Sequence, residues 1–404
     1  MKVVYFTKEY PPCIYGGAGV HVDYLSREMA KLCEVEVRTF CKESDVGDVE
    51  ILNSVVWRDI FEGSSDKYLK SLEVLSEGIS LLRKPIGGDI IHSHTWYTNL
   101  PALFGKILFE KPLVLTLHSL EPLRVWKKNQ LGEGYNLSKW MERIAVINSD
   151  GIVAVSKSMK EDIVKIYGIS EDRVEVIYNG IDEEFFKPTY NKDILLKYGI
   201  DPDSPYILFV GRITRQKGLD LLLEVFERGD FGNLQLVMCA GAADTDELRI
   251  EIENQVKRMI SNGKRVLWIE KMVPKEDLVV LYSHAISFCC PSVYEPFGII
   301  NLEALSTNTP VIGSAVGGIV EIVEDGVDGF LIPIEVKRGG EKGFVVLNRE
   351  EYIRKFGEKI EFFLRNRSVS LKMGRMGRKK VVERFSWKVV ARNTFLFYKR
   401  ILKI

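Results

Sequence analysis

Two carboxylates, Glu295 and Glu303, flank a Pro/Gly turn that leads into an apolar segment with a helical pattern. The hydrophobic run 285–290 comes directly before this turn and predicts a buried strand. Ligands of open α/β folds bind beyond the carboxyl ends of parallel strands, so the turn lies where a site is expected. A helix predicted over 301–306 places Glu303 in its first turn, beside amides that attract anions or ribose hydroxyls. A capping role explains either carboxylate alone, whereas their shared setting favours a binding site.

A second charged cluster, Arg212 with Lys217, lies between a predicted strand over 206–210 and an amphipathic helix that begins at Leu219. Arginine offers a planar fork of donors and lysine a compact point charge, a combination that suits the several oxygens of a diphosphate. Basic residues in a surface loop are usually only solvated. The pair is interpreted as a phosphate site because it accompanies the two carboxylates in the same half of the chain.

The first half of the chain has a glycine-rich turn around Gly17, between the first predicted strand and a helix, where amides can approach a phosphate closely. P-loop and GxGxxG spacings are missing, which argues against an ATPase or an ordinary dinucleotide site. His118 ends a predicted strand, where an imidazole can lie over a substrate or form a core hydrogen bond. His92 and His94 share a face of another strand, but no third ligand has matching spacing, so no metal site is predicted.

Composition excludes several classes of protein. Lysine plus arginine equals aspartate plus glutamate at 56 each, so the net charge is zero and no basic field invites nucleic acid. No apolar run is long enough to span a bilayer and the first residues lack the apolar core of a signal peptide, so we expect a cytoplasmic protein without membrane insertion. The six cysteines form no Cys-x-x-Cys pair, and we expect no disulfide and no zinc. Asp-x-Asp triplets at 201–203 and 244–246 are interpreted as turn and cap residues.

The chain alternates short apolar runs with helical patterns, which is typical of βαβ units and parallel sheets. At 404 residues two domains are expected. We therefore predict an α/β protein with two Rossmann-like domains that face each other across a cleft, over 1–190 and 205–384, and an aromatic-rich C-terminal helix over 385–404 that packs on the first domain. The predicted strands are 2–6, 34–40, 90–94, 113–117, 151–156, 174–178, 206–210, 234–239, 266–269, 285–290, 310–314 and 329–332.

Taken together, these segments resemble the retaining glycosyltransferases of the GT-B type, most closely the actinobacterial-type glycogen synthase subfamily, over essentially all 404 residues. The segments that carry the resemblance are 7–12, 15–22, 92–97, 117–127, 178–182, 212–218, 295–303 and 316–321. The chain differs from other bacterial glycogen synthases at Tyr15, where they have lysine, and at Thr95, where they have aspartate. The resemblance implies a GT-B fold, a nucleotide-sugar donor, no cofactor and no metal.

The resemblance also implies roles for individual residues. Arg212 and Lys217 would hold the donor diphosphate and neutralise its charge as it leaves, Glu295 would bind the transferred glucose, and His118 would lie beside that sugar. Those four form the implied catalytic set. The implied donor site consists of Gly17, Arg212, Lys217, Val273, Glu295, Phe297, Gly298, Ile299 and Glu303, with Glu303 on the ribose and backbone near Val273 on the base.

The implied reaction moves glucose from ADP-glucose, or from UDP-glucose, to the non-reducing end of an α-1,4-glucan. The alternative acceptor is α-glucose 1-phosphate, which gives maltose 1-phosphate. Trp96, Arg124 and Lys127 are the candidate acceptor residues, although the two cations equally fit a solvated basic face. Another retaining GT-B reaction and a non-catalytic glycan-binding protein remain as further alternatives.

Overall fold

The computed structural model describes residues 1–14, 16–44, 46–47, 49–55, 66–125, 127–241, 243–339 and 343–404. The chain forms two compact units, one of Met1–Gly180 with Trp387–Ile404 and the other of Ile181–Ser386. Each unit is built around one parallel sheet, with seven strands in the first and six in the second. No helix within the described ranges is both long and apolar enough to cross a membrane.

The first unit contains strands β1 (Lys2–Thr7), β2 (Glu34–Thr39), β3 (Glu50–Asn53), β4 (Ile90–His94), β5 (Leu113–Leu117), β6 (Gly151–Ala154) and β7 (Val174–Val176). Their order in the sheet is β3-β2-β1-β4-β5-β6-β7, and every pairing is parallel. All residues of β4 and β5 are buried, as expected for strands covered on both faces. The helices before the second unit are α1 (Gly17–Ala30), α2 (Leu69–Ser80), α3 (Trp96–Phe109), α4 (Lys127–Leu131), α5 (Gly134–Asn148) and α6 (Lys157–Tyr167).

The second unit contains strands β8 (Tyr206–Val210), β9 (Gln235–Cys239), β10 (Val266–Ile269), β11 (Ser287–Cys290), β12 (Val311–Ser314) and β13 (Gly329–Ile332). Their order is β10-β9-β8-β11-β12-β13, again with parallel pairings. An antiparallel pair, β14 (Val336–Arg338) with β15 (Phe344–Val346), follows. The helices of this unit are α7 (Lys192–Lys197), α8 (Leu219–Arg228), α9 (Asp246–Ser261), α10 (Lys275–His284), α11 (Ile299–Ser306), α12 (Ile319–Ile322), α13 (Arg349–Arg365) and α14 (Arg367–Arg384).

The last helix, α15 (Trp387–Leu402), packs on the first unit, mainly against α1. Its apolar face places Trp387, Phe397 and Tyr398 in the hydrophobic core of that unit. The approach is close at Gly180, where an added Cβ would lie 2.5 Å from the Trp387 indole. The C-terminal helix therefore returns to the first domain, as the sequence predicts.

The prediction of no disulfide is wrong, because Cys13 and Cys41 are bonded with their Cα atoms 5.7 Å apart. Cys13 follows β1 and Cys41 follows β2, and these strands are neighbours in the sheet. The carboxyl ends of parallel neighbours meet at one edge, which brings together two cysteines that are 28 residues apart in sequence. A search for short cysteine spacings could not find this pair.

Three further features of the structure differ from the expectations. Helix α11 begins at Ile299 and not at Asn301, so Glu303 lies beyond the first turn. The strand β3 was not predicted, because only Ile51 and Leu52 of its four residues are strongly apolar. The unit boundary falls after Gly180, so residues 181–204 group with the second unit, whereas the first predicted domain extends to residue 190.

Candidate active site

Three loops meet at the carboxyl edge of the second sheet. They follow β8, β11 and β12, which are adjacent strands, and they span residues 211–218, 291–298 and 315–318. The amide of Val293 donates to the Gln216 carbonyl over 2.9 Å, and the amide of Gly318 donates to the Glu295 carbonyl over 2.9 Å. These backbone hydrogen bonds tie the two charged segments found in the sequence into one structure.

Glycines make the close approach of these loops possible at two positions. Gly218 has φ +61°, and a Cβ there would lie 2.1 Å from the Pro291 carbonyl oxygen. Gly317 has φ +49°, and a Cβ there would lie 2.0 Å from the Glu295 carbonyl oxygen. Both conformations are left-handed and both contacts are with backbone, so only glycine fits without displacing a neighbouring loop.

Lys217 and Glu295 form an ion pair with Nζ and Oε2 separated by 2.7 Å. Their side chains are 19% and 8% exposed, so the pair lies mostly away from water. Burial acts to lower the pKa of the Lys217 amine, but the neighbouring Glu295 carboxylate outweighs this effect and the pKa is raised. Ser292 Oγ donates a further hydrogen bond of 3.3 Å to Glu295 Oε2. Lys217 is therefore a fixed cation at neutral pH.

Arg212 differs from Lys217 in its surroundings. Its side chain is 61% exposed, and Nη1 lies 3.2 Å from Asp244 Oδ1. Thr245, the next residue, caps α9 by accepting a hydrogen bond from the Leu248 amide, so the cap of this Asp-x-Asp triplet is the threonine and not an aspartate. Arg212 is a second cation at this sheet edge, and most of its surface is open to solvent.

The remaining donor candidates surround the start of α11. Gly298 precedes this helix with φ +99°, and Phe297 before it is buried. The Asn301 amide of the first turn donates to the Gly298 carbonyl over 2.9 Å. The first amides of a helix, here beginning with that of Ile299, lack a carbonyl partner in the preceding turn and can face an anion. Glu303 accepts a 3.0 Å hydrogen bond from the Tyr282 hydroxyl, and burial raises the pKa of the Glu303 carboxyl. Val273 lies half-buried in the segment between β10 and α10.

In the first unit, Gly17 is the exposed first residue of α1. The amide of the preceding Gly16 donates to Glu9 Oε2 over 2.9 Å. A Cβ at Gly19 would lie 2.7 Å from the Glu9 Cβ, so the missing side chain lets α1 lie against the segment that follows β1. The glycine turn is thus held by a local carboxylate, and its helix start remains open.

His118 follows β5 directly and belongs to a group of three histidines. His118 Nε2 lies 3.2 Å from Nδ1 of His94, the last residue of β4. His21 comes from α1, and its Nδ1 is 2.7 Å from Asn179 Oδ1. Burial lowers the pKa of His21 to about 4 and lowers the pKa values of His94 and His118 well below the ordinary range. All three imidazoles are therefore neutral at neutral pH.

His92, which shares a strand face with His94, is a structural residue. Its Nδ1 contacts the Tyr398 hydroxyl of the C-terminal helix, and its Nε2 is 2.7 Å from Thr116 Oγ1. Both ring nitrogens are engaged within the core. The two histidines of the strand therefore have different surroundings.

The candidate acceptor residues occupy three different environments. Trp96 is 2% exposed and stacks on Tyr97 at 4.2 Å between ring centroids, so it is a core residue and not a surface on which a sugar can stack. Lys127 begins the short helix α4, and its Nζ lies 2.7 Å from Gln130 Oε1. Arg124 is half-buried six residues after His118, so it remains the strongest of the three candidates.

Arg124 is held by a buried carboxyl pair that the sequence did not indicate. Its Nη1 lies 3.0 Å from Glu121 Oε1, and Glu121 Oε2 accepts a 2.9 Å hydrogen bond from Ser138 Oγ. The Glu121 amide donates to Glu142 Oε1 over 2.8 Å, and the Tyr167 hydroxyl also donates to this oxygen. The segment after His118 is therefore anchored to α5 and α6 by polar contacts. In the sequence, only acidic residues at core positions of these helices could have indicated this hydrogen-bond network.

Comparison with known proteins defines the class. Residues 15–185 match the family Glycosyltransferase Family 4, and residues 191–338 match Glycosyl transferases group 1. With two parallel-sheet units, these matches define a glycosyltransferase of the GT-B fold. The α-maltose-1-phosphate synthase of Mycolicibacterium smegmatis is 37% identical over 406 residues, which cover 99% of this chain and 100% of that protein. The chain thus belongs to the actinobacterial-type glycogen synthase subfamily of the GT-B glycosyltransferases, together with that synthase.

Solved structures show the same fold at lower identity. Sucrose-phosphate synthase from Thermosynechococcus elongatus superposes with a TM-score of 0.77 at 20% identity, with 100% of both chains covered. The catalytic domain of starch synthase IV from Arabidopsis thaliana, bound to ADP and acarbose, has a TM-score of 0.69 at 17% identity, with coverage of 100% and 99%. These likenesses support the fold and do not distinguish among substrates.

Proposed function

We propose that this protein is a retaining glucosyltransferase that uses ADP-glucose, with UDP-glucose as the alternative donor. The observation that carries this proposal is the Lys217–Glu295 ion pair beside the start of α11. A fixed ammonium and open helix amides suit a diphosphate, while a carboxylate held next to them suits sugar hydroxyls. The acceptor that we favour is α-glucose 1-phosphate, because the full-length relative at 37% identity is an α-maltose-1-phosphate synthase.

In the proposed reaction the bond between the glucose anomeric carbon and the diphosphate oxygen breaks, and an acceptor hydroxyl forms a new bond on the same face. The acceptor proton passes to the departing phosphate oxygen. Lys217 and Arg212 stabilise the negative charge that develops on the diphosphate. Glu295 is already paired with Lys217, so its role is to bind glucose and not to act as a nucleophile. This chemistry does not need the close carboxylate pair of a retaining glycosidase.

The proposal includes no metal cofactor. In many phosphoryl-transfer enzymes a divalent cation neutralises the diphosphate charge. Here two side-chain cations, Lys217 and Arg212, lie on one loop and can neutralise the diphosphate in place of a metal ion. Arg124 is the proposed contact for the acceptor phosphate. Its guanidinium is fixed by Glu121, so it is oriented before a ligand arrives.

A second acceptor is the non-reducing end of an α-1,4-glucan. It is the acceptor that the resemblance to the glycogen synthases implies. The two acceptors differ in one group, the phosphate that Arg124 would bind. Substitution of this arginine should therefore discriminate between them.

The test is release of ADP or UDP from each nucleotide-glucose, with α-glucose 1-phosphate or glycogen as acceptor. We expect turnover with ADP-glucose and α-glucose 1-phosphate, a disaccharide phosphate product with an α linkage, and a loss of about 10²–10³-fold in Lys217→Ala and Glu295→Ala. Arg215→Ala is the matched control, since Arg215 lies on the same turn and pairs with Glu251. Turnover with glycogen alone would select the glucan acceptor. Absence of donor cleavage with either acceptor would contradict the proposed function.

A further inference from the structure

Three histidines from separate elements converge at the carboxyl edge of the first sheet. His21 lies on α1, which follows β1, His94 ends β4, and His118 follows β5. The strands β1, β4 and β5 are consecutive in the sheet order, so their carboxyl ends are adjacent. One ring nitrogen from each histidine can be chosen such that all three lie within 4.8 Å of one another.

The hydrogen bonds around these rings leave nitrogen lone pairs available. His21 Nδ1 donates to Asn179 Oδ1, which fixes the tautomer and leaves Nε2 as the unprotonated nitrogen. Among the described residues, His21 Nε2 and His94 Nε2 are buried without a hydrogen-bond partner. A carbonyl that holds the far nitrogen of a histidine is the usual outer contact of a metal-ligating imidazole.

The spacing of the rings fits one tetrahedral ion. Three imidazoles bound at about 2.0–2.1 Å to such an ion have ring centroids roughly 5 Å apart and ligand nitrogens roughly 3.4 Å apart. The observed centroid separations are 5.3 Å for His21 and His94, 4.8 Å for His21 and His118, and 5.5 Å for His94 and His118. His94 Nδ1 and His118 Nε2 are 3.2 Å apart and share a hydrogen bond, so an ion that binds both nitrogens must displace the proton between them. The third nitrogen lies within 4.8 Å of the other two.

The other two histidines of the chain provide a contrast. Both ring nitrogens of His92 are hydrogen-bonded within the core, so it offers no free lone pair to an ion. His284 belongs to the second unit, where its Nε2 accepts from the Asn191 amide. An ion bound through histidines therefore has one site, the group of His21, His94 and His118.

We propose that the first unit binds one transition-metal ion of the zinc class through His21, His94 and His118, with Asn179 orienting His21. Three nitrogen ligands with a remaining open position favour zinc, cobalt, nickel or copper over magnesium or calcium, which prefer oxygen. His118 is half-buried, so the ion reaches the site from the side of His118. Its fourth coordination position stays open on that side. On the proposed function, His118 lies beside the transferred sugar, so the ion inhibits transfer and is not a cofactor of it.

Direct binding of Co²⁺ tests the proposal without any assay of transfer. Full-length, tag-free protein is stripped with a chelator, titrated with Co²⁺ and followed by visible absorption, and Zn²⁺ is then added in competition. We expect the bands of a tetrahedral cobalt site at one ion per chain, displaced by Zn²⁺. His21→Ala and His118→Ala should each weaken binding by about 100-fold or more, and Asn179→Ala by about 10-fold. His284→Ala is the matched control and should bind like wild type.

Each outcome of this titration decides the question. Absence of tetrahedral bands in the wild-type chain would overturn the proposal, as would undiminished binding in His118→Ala. His118 lies at the edge of the sheet and not in the core, so this variant should fold even if His21→Ala does not. Circular dichroism of each variant identifies a folding failure. Because Co²⁺ binding requires neither donor nor acceptor, a negative result here is separate from a failure of the proposed transfer.

Discussion

The three histidines at the carboxyl edge of the first sheet are neutral imidazoles, whereas Lys217 and Glu295 at the same edge of the second sheet form an ion pair. Burial lowers the pKa values of His94 and His118, and no carboxylate in the described part of the chain forms an ion pair with either ring. Burial acts on Lys217 in the same direction, but Glu295 at 2.7 Å restores and stabilises the charge. The histidines are thus neutral and Lys217 is charged because only Lys217 among these groups has an opposite charge beside it.

This difference predicts where each unit is most sensitive to substitution. A buried charge that loses its partner is costly, whereas a neutral ring that loses a hydrogen bond is less so. We therefore expect the largest effects on stability in the second unit, at the ion pair and at the glycines that hold it. Smaller effects, visible chiefly as a dependence on pH, are expected in the first unit.

The largest expected effect is that of Lys217→Met. This change leaves the Glu295 carboxylate, which is 8% exposed, without its cation and should cost about 3 kcal/mol of unfolding free energy in the second unit. The double variant Lys217→Met with Glu295→Gln removes both charges and should recover most of this loss. Calorimetric unfolding of the three proteins provides the measurement, and Arg215→Met is the control on the same turn. A double variant no more stable than the single one would show that charge pairing is not the cause.

The next effect concerns the backbone that holds Glu295. In Gly317→Ala the new Cβ would meet the Glu295 carbonyl oxygen at 2.0 Å in a left-handed conformation, and we expect a loss of about 2–3 kcal/mol. Gly326→Ala is the matched control, because Gly326 has φ +76° but its added Cβ meets nothing within 4 Å. It should cost only about 1 kcal/mol. Equal thermal shifts in the two variants would mean that the close approach at Gly317 does not matter.

The charged site of the second unit could largely be predicted from the sequence, because each of its charged clusters lies within one or two short segments. The strands before Arg212 and Glu295 are marked by continuous apolar runs, and parallel folds place their ligands after such strands. Both segments were therefore found, although the pairing of Lys217 with Glu295 was not. That pairing depends on β8 and β11 being neighbours, which their distance in the chain does not reveal.

The first unit was harder to predict for the same reason. His21, His94 and His118 meet because β1, β4 and β5 are consecutive in the sheet, and a search by sequence spacing cannot detect ligands from three separate elements. The Cys13–Cys41 bond likewise depends on strand order. Trp96 is a candidate because an aromatic ring can stack on a sugar, and the sequence alone does not reveal that its side chain is only 2% exposed.

The last effect, which is small per pH unit although it accumulates over several units, tests whether a buried carboxyl of the first unit differs from Glu295. Glu142 is 1% exposed, and burial, followed by the nearby Glu121 charge, raises the pKa of Glu142 to about 8. Arg124 acts in the opposite direction, and Tyr167 donates a hydrogen bond to the Glu142 carboxyl. The folded state therefore keeps a proton on Glu142 that the unfolded chain releases near pH 4.5.

The stabilising contribution of this bound proton is complete below pH 4.5 and is lost as the pH rises to about 8. The unfolding free energy of the wild-type chain should thus fall by up to about 1.4 kcal/mol per pH unit across this window relative to Glu142→Gln. Denaturant unfolding of both proteins at several pH values provides the measurement. The difference near pH 5, where the folded wild type has a neutral Glu142 like the glutamine variant, is the internal control. Parallel pH profiles for the two proteins would show that Glu142 is ionised in the fold and would contradict the raised pKa.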